Sequence, residues 1–384
     1  MGRRRVALFP PLPLPPTILE TEVTPVMTKK LFIPGPVDVH PDILAAMATP
    51  MVGHRMPEYA LLHGRVKAGL KRLLATESRV FLATSSAFGV MEGAVRNLVG
   101  RRCVNFCNGA FSDKWHDVTK RCGKEADAVK VEWGQPITAE LVDQALATGR
   151  YDAFTLIHNE TSTGVMSPLP EIAAVLRKYP DVVSIIDTVS SMSALPVPVD
   201  ELGIDCCIFG VQKAFALPPG LAVFTASEKA LARARTIEGR GYYFDFIEFE
   251  TNDEKDNTPS TPCISQIYAM DRQLERMFAE GLDRRWERHR DMAGLVRGWV
   301  AERGYGFFAD EPYRSVTLTC AVNALGTDLA RLKKMLGERG YAFDDGYGKI
   351  KGKTFRIPHM GDMQREDLVA FLAAVDDCLK VIAG

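Results

Sequence analysis

From residue 79 onward, short apolar runs alternate with amphipathic stretches. The apolar runs are Val80–Thr84, Cys103–Cys107, Ala153–His158, Val183–Asp187, Cys206–Phe209 and Leu221–Thr225. Each has the length of a strand, and a strand buried on both faces reads as such a continuous run. Amphipathic stretches at 87–98, 112–122, 138–147 and 169–178 fall between them and predict helices. The alternation predicts an α/β fold, a mainly parallel sheet wrapped by helices. Gly210 to Gly220 interrupts it with a Pro-Pro-Gly turn. Residues 285–303 predict a long helix leading out of the sheet, followed by a smaller α+β unit. In that unit the pattern predicts strands near 315–321 and 354–357 and helices at 327–339 and 364–381. The chain therefore divides into a large unit, 28–284, and a small C-terminal unit, 285–384. Residues 1–27 stand apart: prolines between Pro10 and Pro16 forbid the helix a signal peptide needs. They are expected to be a disordered tail, or a start assigned too early with Met27 the true one.

In open parallel sheets, ligands sit beyond the carboxyl ends of the strands. Five clusters occupy that level: Thr84–Phe88, Asn108–Phe111, His158–Gly164, Asp187–Ser190 and Gly210–Lys213. Asp187 ends an apolar run, where a carboxylate is costly unless a cation or hydrogen-bond donors meet it. It reads either as the partner of a protonated ring nitrogen or as the cap of the turn that follows. Lys213 lies in an apolar, glycine-bounded turn. Burial there lowers an amine's pKa, as a nucleophilic lysine needs; the alternative is a lysine that snorkels to solvent. Ser85, Ser86 and Ala87 precede a helix, whose free N–H groups can bind phosphate or be plainly capped.

Together these residues form a recognisable series. A strand ending in Asp187-Thr-Val-Ser-Ser191 is followed by Gly210-Val-Gln-Lys213 and then by Pro-Pro-Gly. With Ile33-Pro-Gly-Pro36, Asn108-Gly-Ala-Phe111, Asn159-Glu-Thr-Ser-Thr-Gly164 and Phe355-Arg-Ile357, it resembles the class V (fold type I) pyridoxal-phosphate aminotransferases. The resemblance covers about residues 31–384 and is nearest to the alanine–glyoxylate and serine–pyruvate branch. It implies a seven-stranded, mainly parallel sheet and pyridoxal 5'-phosphate as cofactor. It implies Lys213 as the Schiff-base lysine and proton shuttle, and Asp187 as partner of the pyridine nitrogen. Val189 and Phe111 would flank the ring, Thr161 would donate to its phenolic oxygen, and Ser86, Ala87 and Gln212 would hold the phosphate. Thr258 or Thr261 would reach the phosphate of a neighbouring subunit, making a homodimer with shared sites. Arg356, swinging in with the small unit, would clamp the substrate carboxylate, with Gly35 beside it. Where the branch carries Gly-His, this chain has Ala87-Phe88, so Phe88 would line the ring pocket instead. Arg55, in a His-Arg pair, suits an anionic substrate side chain, as in phosphoserine aminotransferases.

The composition narrows the partners. A formal net charge of -1 gives no footprint for nucleic acid or an anionic membrane, and no apolar run is long enough to span a bilayer. Eight cysteines without metal-ligand spacing fit small buried thiols and a cytoplasmic location. The expected substrates are small amino acids (alanine, serine or aspartate) with glyoxylate or pyruvate as acceptor, in a ping-pong reaction. The alternatives are a phosphoserine or aminophosphonate aminotransferase, a lyase such as a cysteine desulfurase, or a non-catalytic binding module; against the lyase, Gln212 rather than His precedes Lys213 and Cys320 lies in a buried-strand pattern rather than a mobile loop.

Overall fold

A computed structural model describes residues 29–383; the expected tail, 1–27, lies outside them. Its centre is a seven-stranded sheet. We number its strands β1 (Arg79–Ala83), β2 (Arg102–Cys107), β3 (Glu125–Lys130), β4 (Ala153–Ile157), β5 (Val183–Asp187), β6 (Cys206–Gly210) and β7 (Ala222–Ala226). Their order across the sheet is β1-β7-β6-β5-β4-β2-β3. Strands β3, β2, β4, β5 and β6 run parallel, whereas β7 is antiparallel to both neighbours. The mixed, mostly parallel α/β sheet matches the expectation from the apolar runs.

The apolar runs locate six of the seven strands. They miss β3, Glu-Ala-Asp-Ala-Val-Lys, because it is an edge strand paired only with β2 and none of its residues is fully buried. A strand solvated on one side needs no continuous apolar run. The helix Ala87–Leu98 lies where the pattern puts it. The helices Pro57–Leu74 and Ile264–Glu280, absent from the sequence reading, pack on each other outside the sheet. The acidic run from Asp245 to Asp256 is largely the helix Phe246–Asp253. Asp245 caps its start by accepting from the Ile247 N–H. Asp253 at its end is only 4% exposed and is paired with Lys67 and Arg79, so the acidic composition there hides a buried ion cluster.

A second apolar core lies in the C-terminal unit, around Met292, Val296, Leu332, Phe355, Phe371 and Val375. The long helix Leu282–Glu302 links it to the sheet. A three-stranded antiparallel sheet (Gly306–Phe307, Leu318–Val322, Thr354–Pro358) and the helices Leu329–Glu338 and Arg365–Ala383 enclose it. The N-terminal strand Lys30–Phe32 pairs with Tyr341–Phe343, and Phe32 stacks on Phe371 at 3.8 Å between ring centroids. Burying such a phenylalanine contributes about 2–3 kcal/mol. The chain then runs from this core to the carboxyl ends of the large sheet, carrying Gly35 and Pro36 with it. Among the described residues no helix is long and apolar enough to cross a membrane.

Candidate active site

Two cavities meet at the carboxyl ends of β1, β2, β4, β5 and β6. The inner one, of about 250 Å³, lies over the sheet. The outer one, of about 430 Å³, opens between the sheet and the small unit. Both are lined by Gly35, Phe111, Thr161 and Lys213, so these four residues form the wall between them.

Lys213 follows β6 in the expected turn. Its stem lines both cavities, which leaves the residue partly exposed. Its Nζ donates to Thr161 Oγ1 at 2.5 Å and to Ser190 Oγ at 3.1 Å. Burial lowers its pKa from 10.5 to about 8, opposed by the charges of Asp187 and Glu160. The snorkelling alternative does not hold. Gly35 makes the approach possible: it has φ +114°, and a Cβ there would meet Lys213 Cγ at 2.7 Å. Only glycine tolerates both conditions.

Asp187, at the end of β5, is 7% exposed and lines the inner cavity. One oxygen accepts the Val189 N–H at 2.7 Å, the sole donor to this carboxylate among the described residues. One oxygen thus caps the turn, and the other accepts no hydrogen bond among the described residues. Burial raises its pKa from 3.8 to about 6. A protonated nitrogen set against it would reverse that penalty.

The helix Ala87–Leu98 aims its start at the same cavity. Its N-cap, Ser86, makes no side-chain capping bond, and Ser85 Oγ turns away to donate to the Ser86 carbonyl. The first N–H groups are therefore free for an anion. Ser86, Ala87, Phe88, Val189 and Gln212 all line the inner cavity. Phe88 stands where the branch has histidine, with Lys114 Nζ 4.4 Å from its ring centroid.

Arg356 lines the outer cavity with Lys213. It lies on Thr354–Pro358 and is 4% exposed. Its guanidinium is already in place, bonded to Asp344 and to the Thr161 carbonyl. The bond to Thr161 already joins this strand of the small unit to the large one. Arg55, Thr258 and Thr261 line neither cavity. Arg55 and Thr261 are exposed, while Thr258 is buried in its own segment, donating to the Ser260 carbonyl.

Four contributors escape the sequence reading. Ser190 touches the lysine amine, although its strand-end cluster marks the place. Glu160 is fully buried and accepts from the N–H and hydroxyl groups of both Ser112 and Ser162, tying the first turn of helix Ala110–Arg121 to the segment that carries Thr161. Phe111 rides on that first turn. Tyr347 stacks on Phe111 at 5.2 Å and lines the outer cavity. Asp344 anchors Arg356. Ser190 and Glu160 fall within strand-end clusters, whereas Asp344 and Tyr347 are announced by no such motif. Cys320, the thiol a desulfurase would need to be mobile, is fixed in strand Leu318–Val322 opposite Arg356, and burial pushes its pKa up to about 12.

Comparison with known proteins agrees with this geometry. Residues 100–349 match the family aminotransferase class-V. An uncharacterized aminotransferase of Methanocaldococcus jannaschii is 37% identical over 92% of this chain and 93% of its own length. An L-aspartate–glyoxylate aminotransferase of Paracoccus denitrificans is 32% identical over 87% of this chain and 86% of its own. A crystal structure of an alanine–glyoxylate aminotransferase from Nostoc sp. superposes with a TM-score of 0.87 at 25% identity, covering 97% of this chain and 98% of that one. The chain belongs to the class-V aminotransferases.

Proposed function

We propose that this transaminase uses pyridoxal phosphate to move an amino group from a small amino acid to glyoxylate. The observation that carries the reading is the position of Lys213, whose amine stands between Asp187 on the inner side and Arg356 on the outer side. The inner cavity fits the cofactor in three respects. It has an uncapped helix start for a phosphate, a buried carboxylate with an open oxygen for a ring nitrogen, and apolar walls from Val189 and Phe111 for a ring. When bound, pyridoxal phosphate supplies a carbonyl that takes up the amino group and a ring that accepts electrons from the substrate carbon. Asp187 would keep the ring nitrogen protonated. Ser86, Ala87 and Gln212 would hold the phosphate, and Thr161 the phenolic oxygen. Arg356 would bind the α-carboxylate and Gly35 would leave room for the α-carbon beside Lys213. Lys213 Nζ, neutral above about pH 8 in the free chain, would carry the proton to and from that carbon, oriented by Thr161 and Ser190. Amino acid and keto acid carry the same carboxylate, so one site serves both half-reactions of a ping-pong cycle.

Relatives named for different donors share glyoxylate as acceptor, so glyoxylate is the better supported half. A homodimer is part of the proposal: Thr258 and Thr261 line neither cavity of their own chain, and a phosphate contact from them requires a second copy. Eight unpaired cysteines fit a cytoplasmic location. Cys320, locked in a strand, weakens the desulfurase alternative. The test is a screen of alanine, serine, aspartate and phosphoserine against glyoxylate and pyruvate, following each keto acid formed. Turnover with glyoxylate and at least one small donor supports the reading; release of sulfide from cysteine without transamination contradicts it.

A further inference from the structure

The guanidinium of Arg356 is committed before any substrate arrives. Nε and Nη2 donate to the two oxygens of Asp344 at 2.7 and 2.8 Å, and Nη1 donates to the Thr161 carbonyl at 2.8 Å. A guanidinium has five N–H groups. Three are engaged here, which leaves two to offer the outer cavity. The Tyr347 ring covers the guanidinium with its centroid 5.3 Å from Cζ. Asp344 is held just as firmly. Its Oδ1 also accepts the Gly346 N–H at 3.0 Å, and its carbonyl accepts the Arg356 N–H at 3.1 Å. The turn behind it has no slack, since Gly346 has φ +93° and a Cβ there would meet the Thr354 carbonyl oxygen at 2.7 Å.

This arrangement has two physical consequences. A long arginine side chain otherwise loses its rotamer freedom when it binds, whereas here that loss is taken during folding. The side-on edge of the guanidinium, a preferred seat for a carboxylate, is filled by the protein's own carboxylate. A substrate carboxylate must use the two remaining N–H groups, and their direction is set by Asp344.

We propose that Asp344 is the positioning residue for carboxylate recognition: by gripping one edge of Arg356 it aims the two free N–H groups into the outer cavity, for amino acid and keto acid alike. The proposal rests on the reading of Arg356 as the carboxylate site. Its physical rival is that Asp344 competes with substrate for Arg356, and the two ideas predict opposite signs.

The experiment uses the holoenzyme with Asp344→Asn, which keeps the shape but presents one acceptor oxygen instead of two, and with Asp344→Glu as the conservative comparison. The expected result is a rise in KM for both the donor and glyoxylate on the order of 10- to 100-fold in Asp344→Asn, as for a small misplacement of a binding group. The kcat should stay within a few-fold with cofactor absorbance unchanged, and Asp344→Glu should show partial recovery; the melting temperature should fall in Asp344→Asn, since it leaves a buried guanidinium with a neutral partner. Titration with propionate, a carboxylate with no amino group to transfer, should weaken by a similar factor. An unchanged or lower KM, or tighter propionate binding in Asp344→Asn, would overturn the proposal. Absence of transamination in the unmodified enzyme would instead overturn the proposed function, and the propionate comparison would still decide the role of Asp344.

Discussion

The inner and outer cavities share a wall but are built on different principles. The inner one is made almost wholly from the ends of β1, β2, β4, β5 and β6, so each contributor sits where an apolar run stops. The outer one is assembled across the molecule. Arg356 comes from the C-terminal unit, its Thr161 partner is 195 residues away in sequence, and Gly35 arrives on a strap that begins in the second core. The inner cavity is therefore rigidly scaffolded by the sheet. The outer chemistry can be retuned by a loop without disturbing the sheet, which suits a family whose members differ in amino donor.

That contrast also explains what the sequence could tell. Asp187, Lys213 and Ser86 were legible because strand periodicity alone marks the level at which they stand. Asp344 and Tyr347 were not, since their meaning lies in partners that no local pattern brings near. Glu160 stood inside a recognised motif, yet its role, joining the first turn of Ala110–Arg121 to the Thr161 segment, needs three-dimensional contacts. Strand β3 was missed for a related reason: an edge strand buries too little to leave a continuous apolar run. The resemblance pointed to Arg356, which lines the outer cavity and is bonded to the Thr161 carbonyl of the large unit.

Substitutions can break the contrast, starting with the inner cavity. Asp187→Asn should keep cofactor bound through the helix start while kcat falls by about 10³-fold, because a neutral amide cannot hold the ring nitrogen protonated. Steady-state kinetics with cofactor absorbance check this, and near-normal turnover would reduce Asp187 to a turn cap. In the outer cavity, Arg356→Lys replaces a planar fork by a point charge. The loss of two charge-assisted hydrogen bonds, about 2–4 kcal/mol, should raise KM for donor and acceptor by roughly 10²-fold or more with absorbance unchanged.

The wall itself has a pH signature. With the folded pKa of Lys213 lowered from 10.5 to about 8, the cofactor-free protein binds fewer protons than the unfolded chain between those values. Its stability contribution should therefore rise with pH across that window. The rate of Lys213 modification by an amine reagent should climb through about pH 8, and a midpoint near 10 would mean that the amine is solvated. The smallest effect is expected from Thr261→Ala, which should weaken cofactor binding by about tenfold, the equivalent of roughly one hydrogen bond, with little change in substrate KM. Cofactor titration and sedimentation test it together, and an active monomer would contradict the shared site.

The central claim is that the Lys213 amine carries the cofactor at the wall between the two cavities. Borohydride reduction of the holoenzyme followed by peptide mapping tests it most directly. The account predicts a single modified residue, Lys213, with the visible absorbance lost in proportion to its labelling; a label on any other lysine, or none at all, would contradict it.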